Sequence, residues 1–350
     1  MQRMGNQLLF LTMFCLVIFV SAGAQEQPTN SSEEVIKLST ELVVLDVQVL
    51  NKETGLAISG LSEEDFELYE DGTKQTITNF SQDKLPLSII LLLDVSGSVR
   101  PILEQIRDGA LDALQQLKPE DEVALMAFAG KTELIANFTR DRQLIADRIK
   151  NINQFTQHLG AATFLNEGVY QAALQLRKSS NPISRRVIIV VTDNVSNRNP
   201  FGKEHSEKEA LAELFESGGA VCGLIVRGVI GKVMAKNPTT ILSRVLLSAG
   251  SVNTYAKKTG GEVMPADKNE VDTKLGQLIT HLRTRYSIGY VSSNTKQDGR
   301  FRRIKLKLVP RTRKSRDELV IRTKEGYYAS RTEKVGNDLT NKQLIQTVQK

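Results

Sequence analysis

The sequence predicts a doubly wound, mostly parallel α/β sheet with a smaller β domain built from both ends of the chain. Three observations lead there. Four runs, Leu87 to Leu93, Val123 to Phe128, Val187 to Val191 and Ala220 to Val226, are near-continuously apolar, as strands buried on both faces are. The segments between and after them carry apolar residues at three- and four-residue spacing, the period of a helix. Outside that block, before Phe80 and after Arg302, polar and apolar residues alternate in short pieces bounded by turn signals, as half-buried strands do.

At the start of the chain, Arg3 precedes an apolar stretch from Leu8 to Val20, and Ala22-Gly23-Ala24 supplies small residues at the positions a signal peptidase reads. Residues 1–24 are therefore expected to be a signal peptide, followed by a polar linker at 25–34. The apolar stretch is shorter than the roughly 20 residues a spanning helix needs. No transmembrane span is expected after cleavage, and the protein is placed outside the cytoplasm, secreted or in the periplasm or cell envelope.

Residues 35–85 form the N-terminal part of the β domain, with strands at Leu42 to Leu50 and Phe66 to Tyr69 and turn signals at Lys52 to Gly55 and Asp71-Gly72. A piece of about 50 residues buries little core alone. Residues 286–330 are expected to complete it, because Arg302 to Val309 alternates charged with apolar side chains and Leu319-Val320-Ile321 repeats the signal before Gly326-Tyr327-Tyr328. The α/β domain occupies 86–285, with helices over Ile102 to Leu117, Arg142 to Ile152, Leu165 to Leu176, Glu204 to Phe215 and Asn269 to Arg283. Gly218-Gly219 ends the fourth. Residues 228–254 interrupt the rhythm and receive no function, and a tail follows at 331–350.

Composition narrows the chemistry. The 350 residues are 40% hydrophobic and 25% charged, ordinary for a globular protein. Of the two cysteines, Cys15 lies in the leader, so Cys222 alone remains and neither an internal disulfide nor a cysteine-rich zinc site can form. The formal charge of +6 is unevenly spread: Lys296 to Lys334 nets +9 and the remainder −3. The body is thus no nucleic-acid platform, and the basic stretch reads as the wet face of strands, which also protects exposed edges.

In a doubly wound sheet, ligands bind beyond the carboxyl ends of the strands. After the first apolar run stands Asp94-Val95-Ser96-Gly97-Ser98. After the third stands Thr192-Asp193-Asn194, and Gly160-Ala161-Ala162-Thr163 opens the intervening helix. The topology brings five oxygen-bearing side chains, those of Asp94, Ser96, Ser98, Thr163 and Asp193, to one end of the sheet. Oxygen donors of this kind suit a hard octahedral cation. Two carboxylates balance a divalent charge and three hydroxyls add none, so the cation is expected to stay electrophilic and to take an anionic ligand from a partner.

These residues resemble the von Willebrand factor type A domain and its metal ion-dependent adhesion site, over roughly Pro86 to Arg285. The Asp-x-Ser-x-Ser motif is matched in full at Asp94, Ser96 and Ser98. The resemblance implies that the two serines ligate Mg²⁺ or Mn²⁺ directly, that Asp94 acts through water, and that Thr163 and Asp193 are the loop threonine and the later aspartate. It further implies a non-enzymatic module whose partner is a protein offering an Asp or Glu carboxylate. The flanks resemble a secreted acidobacterial-type subgroup, through Gly60 to Gly72 (Gly-Leu-x-x-x-Asp-Phe-x-Leu-x-Glu-Asp-Gly) and Arg322 to Ala329 (Arg-x-x-x-Gly-Tyr-Tyr-Ala). The chain departs from the family at Asn194, where glycine is usual, and at Ala161-Ala162 before Thr163. Asn enters the left-handed conformation less freely than Gly, so the Asp193 loop is expected to sit differently.

The same residues admit other readings. Ser96 and Ser98 can instead cap the following helix, leaving a metal-independent structural component of an envelope assembly. A haloacid dehalogenase-type phosphatase also opens on an aspartate after an apolar strand, but its second aspartate would fall at Ser96, so the general acid is missing. Gly130-Lys131-Thr132 lacks the earlier glycine of a phosphate loop, Leu125 standing there, and reads as a hairpin turn. His158, His205 and His281 are not spaced for a hydrolase triad, and Cys222, inside an apolar run, reads as an inert buried thiol.

Overall fold

A computed structural model describes residues 42–82, 85–197, 202, 204–226, 250–309 and 319–331. The expected leader, the linker, nearly all of the 331–350 tail and most of the 228–254 segment lie outside the described residues.

The central sheet has six strands in the order β10-β9-β8-β5-β6-β7. These are β5 (Leu87–Asp94), β6 (Glu122–Phe128), β7 (Thr132–Thr139), β8 (Arg185–Thr192), β9 (Ala220–Val226) and β10 (Val263–Ala266). All pair parallel except β7, which returns antiparallel along β6. The turn between β6 and β7 holds Gly130-Lys131, so the expected hairpin forms there. Alternate residues of β5 feed opposite cores. Leu87, Ile89, Leu91 and Leu93 pack with α1 (Leu103–Gln115), α2 (Arg142–Lys150), α3 (Ile152–Thr156) and α7 (Val271–Arg283). Ile90 and Leu92 pack with α4 (Leu165–Leu176), α5 (Glu207–Ser217) and α6 (Val252–Thr259). Helices on both faces explain why these strands are apolar throughout rather than alternating.

The helix ends follow local chemistry. Ser206 caps α5 in a reciprocal box with Glu209, and Gly218 ends it at φ 69°. Asp141 caps α2 by accepting the Leu144 N–H.

The chain ends interleave in two four-stranded sheets, ordered β13-β1-β11-β4 and β14-β12-β2-β3. From the front come β1 (Leu42–Asn51), β2 (Phe66–Glu70), β3 (Thr73–Gln75) and β4 (Ile77–Ser81), and from the back β11 (Tyr286–Val291), β12 (Phe301–Leu308), β13 (Leu319–Arg322) and β14 (Gly326–Tyr328). Neither end closes a core alone. Leu45, Val47, Phe66, Leu68, Ile288 and Ile304 meet in one buried cluster, where the rings of Phe66, Phe80 and Tyr286 lie 5.5–5.9 Å apart. Arg303, Lys305 and Lys307 face outward from β12 as expected. Arg302 does not. Its side chain is buried because Asp298 and the Lys296 carbonyl, each at 2.9 Å, take its guanidinium.

Buried charges join these sheets to the α/β block. Asp46 of β1 accepts from Arg185 and from Arg285, both at 2.9 Å. Glu262 accepts from His281 and Arg322, both at 2.8 Å. Burial alone would raise the Glu262 carboxyl, but His281 and Arg322 outweigh it and hold it down at about 2. No helix among the described residues is long and apolar enough to cross a membrane.

Candidate metal centre

Leu93 of β5 pairs with Val191 of β8, so the next residues, Asp94 and Thr192, emerge side by side at the carboxyl edge of the sheet. Asp94 is fully buried. One of its oxygens accepts the Ser96 N–H at 2.9 Å and the other the Thr192 hydroxyl at 2.6 Å. Burial pushes its carboxyl up to about 6, against hydrogen bonds from Ser96 and Thr192, and the Asp193 charge adds to the rise.

The Ser96 and Ser98 hydroxyls lie 3.2 Å apart. The Ser96 carbonyl accepts the N–H groups of Val99 and Arg100, which winds the chain into a single turn at Arg100–Ile102 before α1. Neither cap position, Val99 or Ile102, is satisfied by a side chain. Neither Ser96 nor Ser98 stands at a cap position.

Two further turns are laced to this one. The Gly97 N–H donates to the Ala161 carbonyl at 2.9 Å, drawing the loop before α4 against the serine turn. Gly160 makes the bend at φ 86°. Thr163 is buried, its N–H donating to Asn197 Oδ1 at 2.9 Å while its carbonyl accepts the Asn197 N–H at 2.8 Å. The turn after β8 is thereby fixed to the threonine loop. Asp193 is partly buried, and one of its oxygens accepts the Val195 N–H at 3.1 Å.

Asn194 takes φ 58°, the left-handed conformation that glycine would supply. Tertiary bonds hold it there. Its Oδ1 accepts the Val252 N–H at 3.0 Å and its Nδ2 donates to Ser251 Oγ at 3.3 Å, at the start of α6. Asn is among the residues that tolerate this conformation. The expected displacement of the Asp193 loop therefore has no backbone cause at this position.

All five candidate residues thus lie on three turns joined by hydrogen bonds at one edge of the sheet. Their donors are two carboxylates and three hydroxyls, a set suited to a hard divalent ion. Among the described residues no group of three or more His, Cys, Asp and Glu side chains is arranged to hold a metal ion. A carboxylate stripped of water beside a second one is also the environment a cation relieves.

Sequence reasoning passed over Thr192 and Asn197, which hold Asp94 and Thr163 in place. Thr192 carried a signal, since it ends the strand neighbouring Asp94. Asn197 carried none. The histidines serve elsewhere: His158 pairs with Glu133 at the surface, His205 bonds to Glu167 and stacks on Tyr170, and His281 bonds to Glu262.

Residues 89–196 match the VWA_2 family model, the von Willebrand factor type A domain. Solved structures resemble the chain at low identity. BatB from Bacteroides thetaiotaomicron is 19% identical, with 56% of this chain and 98% of that one covered and a TM-score of 0.40. The von Willebrand factor domain of the type V pilus tip protein Mfa5 from Porphyromonas gingivalis is 10% identical, with 56% and 96% covered and a TM-score of 0.39. Proximal thread matrix protein 1 from the mussel byssus, with a zinc-occupied MIDAS motif, is 15% identical, with 57% and 48% covered and a TM-score of 0.41. No curated protein matches the sequence significantly.

Proposed function

We infer, from the match of residues 89–196 to the von Willebrand factor type A domain model, that the chain is a metal-dependent protein-binding module acting outside the cytoplasm. Asp94, Ser96, Ser98, Thr163 and Asp193 would hold Mg²⁺ or Mn²⁺ as a metal ion-dependent adhesion site. When bound, the ion supplies a positive charge open to an aspartate or glutamate carboxylate of the partner protein. The chain's own residues do the preparation. Thr192 and the Ser96 N–H fix the Asp94 carboxylate, the paired bonds between Thr163 and Asn197 fix the threonine loop, and the half-buried Ser98 lies toward the rim. Such prearrangement lowers the ordering cost of binding.

The observation that carries this reading is the pair of serine hydroxyls 3.2 Å apart beside a buried aspartate, with the cap positions of the following turn and helix held by Val99 and Ile102 rather than by a serine. It weighs against the capping role that the metal-independent envelope component requires. Ser96, where a phosphatase of the dehalogenase type needs its second aspartate, supports a module that binds without turnover. The test is affinity capture of partners from a cell-envelope fraction with Mg²⁺ or with chelator. Capture is expected only with the ion, and not by Asp94→Ala. Capture that survives both chelator and the substitution would overturn the reading.

A further inference from the structure

A second surface lies at the opposite edge of the sheet, where β1 meets the α/β block. Residues Leu42–Val47 of β1 pair with β11 on one side, while β13 pairs only with Gln48–Asn51 on the other. After Arg322 the chain leaves β1, because the Glu325 N–H donates to the Lys258 carbonyl and Lys324 bridges to Thr259 at the end of α6. Among the described residues no strand pairs with Leu42–Val47 on that side. In an antiparallel pair alternate residues turn their N–H and C=O groups away from the partner, so this stretch presents a row of them to the open side.

A groove of about 690 Å³ runs along that edge, lined by Leu42, Val43, Val44, Phe215 and Tyr328 among others. Through Val44, Phe215 and Lys324 it continues into a cavity of about 440 Å³. Leu42, at the start of β1, and Val44, within it, are each 50% exposed. Lys324, at the junction, has no carboxylate in ion-pair contact among the described residues. Burial draws its amine down to about 8, only partly offset by Asp46. The site combines an unpaired strand edge, two outward aliphatic side chains and a cation short of a counter-ion.

We propose that this edge binds an extended segment of a partner protein as an added strand, with apolar side chains on Leu42 and Val44 and an acidic side chain meeting Lys324. Strand addition draws affinity from the backbone and specificity from alternate side chains. The site is independent of the metal-binding turns.

The test uses the full-length protein in chelator and a fluorescein-labelled hexapeptide Val-Ser-Val-Ser-Asp-Ser, which sets both valines and the aspartate on one face, with the counterpart carrying lysine for aspartate as control. Saturable binding of the acidic peptide is expected, with slowed hydrogen exchange at the amides of Leu42–Val47. Val44→Glu and Lys324→Met should each weaken it about ten-fold, the scale of one close interfacial charge pair. If Val44→Glu lowers the melting temperature, Leu42→Glu makes the same test at an equally exposed position. Absence of saturable binding, equal binding of the lysine peptide, indifference to the substitutions, or slowed exchange confined to the Asp94 turn would each overturn the proposal.

Discussion

Replacing Asp94 by asparagine removes a buried charge while keeping the shape of the side chain. The asparagine carbonyl still accepts the Ser96 N–H, and its amide meets the Thr192 hydroxyl, which also accepts the Asn194 N–H at 3.0 Å. In the unfolded chain the Asp94 carboxyl titrates near 3.8, and in the folded protein burial lifts it to about 6. The folded state therefore binds the proton more tightly, so stability without a metal falls as pH rises between those values and stays reduced above about 6. A lift of about two pH units corresponds to about 3 kcal/mol. Urea denaturation in chelator, from pH 4 to 8, reads this directly. Asp94→Asn is expected to match wild type near pH 4 and to exceed it by up to about 3 kcal/mol at pH 7.5. Adding Mg²⁺ should raise wild type and leave the variant unchanged, since only a filled site gains from the ion. Parallel pH curves for the two proteins, or a variant weaker than wild type at pH 7.5 in chelator, would refute the reasoning.

Other outcomes follow from neighbouring contacts. Glu262→Gln leaves His281 and Arg322 short of their partner and should cost about 3 kcal/mol in chemical denaturation. Because the Glu262 carboxyl is held down from 4.5 to about 2, its contribution is complete above pH 4.5 and is lost as pH falls toward 2, an acid transition that the variant should lack. Asn194→Gly keeps the left-handed backbone but forfeits the bonds to Ser251 and Val252, a loss of about 1 kcal/mol, whereas Asn194→Val also strains a β-branched residue there and should cost about 2–3 kcal/mol more. Equal stability of the two variants, measured in urea, would contradict the role given to the φ of 58°. Burial pushes the Cys222 thiol up, so it should resist a thiol reagent in the native protein and react once urea unfolds it.

The parts of the fold visible in the sequence were those whose surroundings impose a uniform pattern. The strands β5, β6, β8 and β9 are covered on both faces, and that alone makes them apolar throughout. The alternation over Phe301–Leu308 was equally plain, except at Arg302, where a partner four residues away satisfies an inward-facing charge. The strand β10 escaped notice because it has four residues, includes Pro265 and pairs with β9 alone at the edge of its sheet, where a missing N–H costs little. Similarly, α6 is capped by Ser251 with help from Asn194, distant in sequence, whose Oδ1 accepts the Val252 N–H.

The site divides in the same way. Candidate donors stand at strand ends and in turns, positions that sequence order marks. The residues that orient them act across the fold: Thr192 reaches Asp94, and Asn197 reaches Thr163. The charged seam of Asp46 with Arg185 and Arg285 was invisible for the same reason, since its members lie on strands and turns far apart in the chain.

The most direct test of the account is calorimetric titration of the purified protein with Mn²⁺ after chelation, repeated with Asp94→Ala and with Ser96→Ala/Ser98→Ala. One ion is expected to bind per chain, to be released by chelator and to be lost in both variants. A wild-type protein that takes up no Mn²⁺, or variants that bind it as the wild type does, would contradict it.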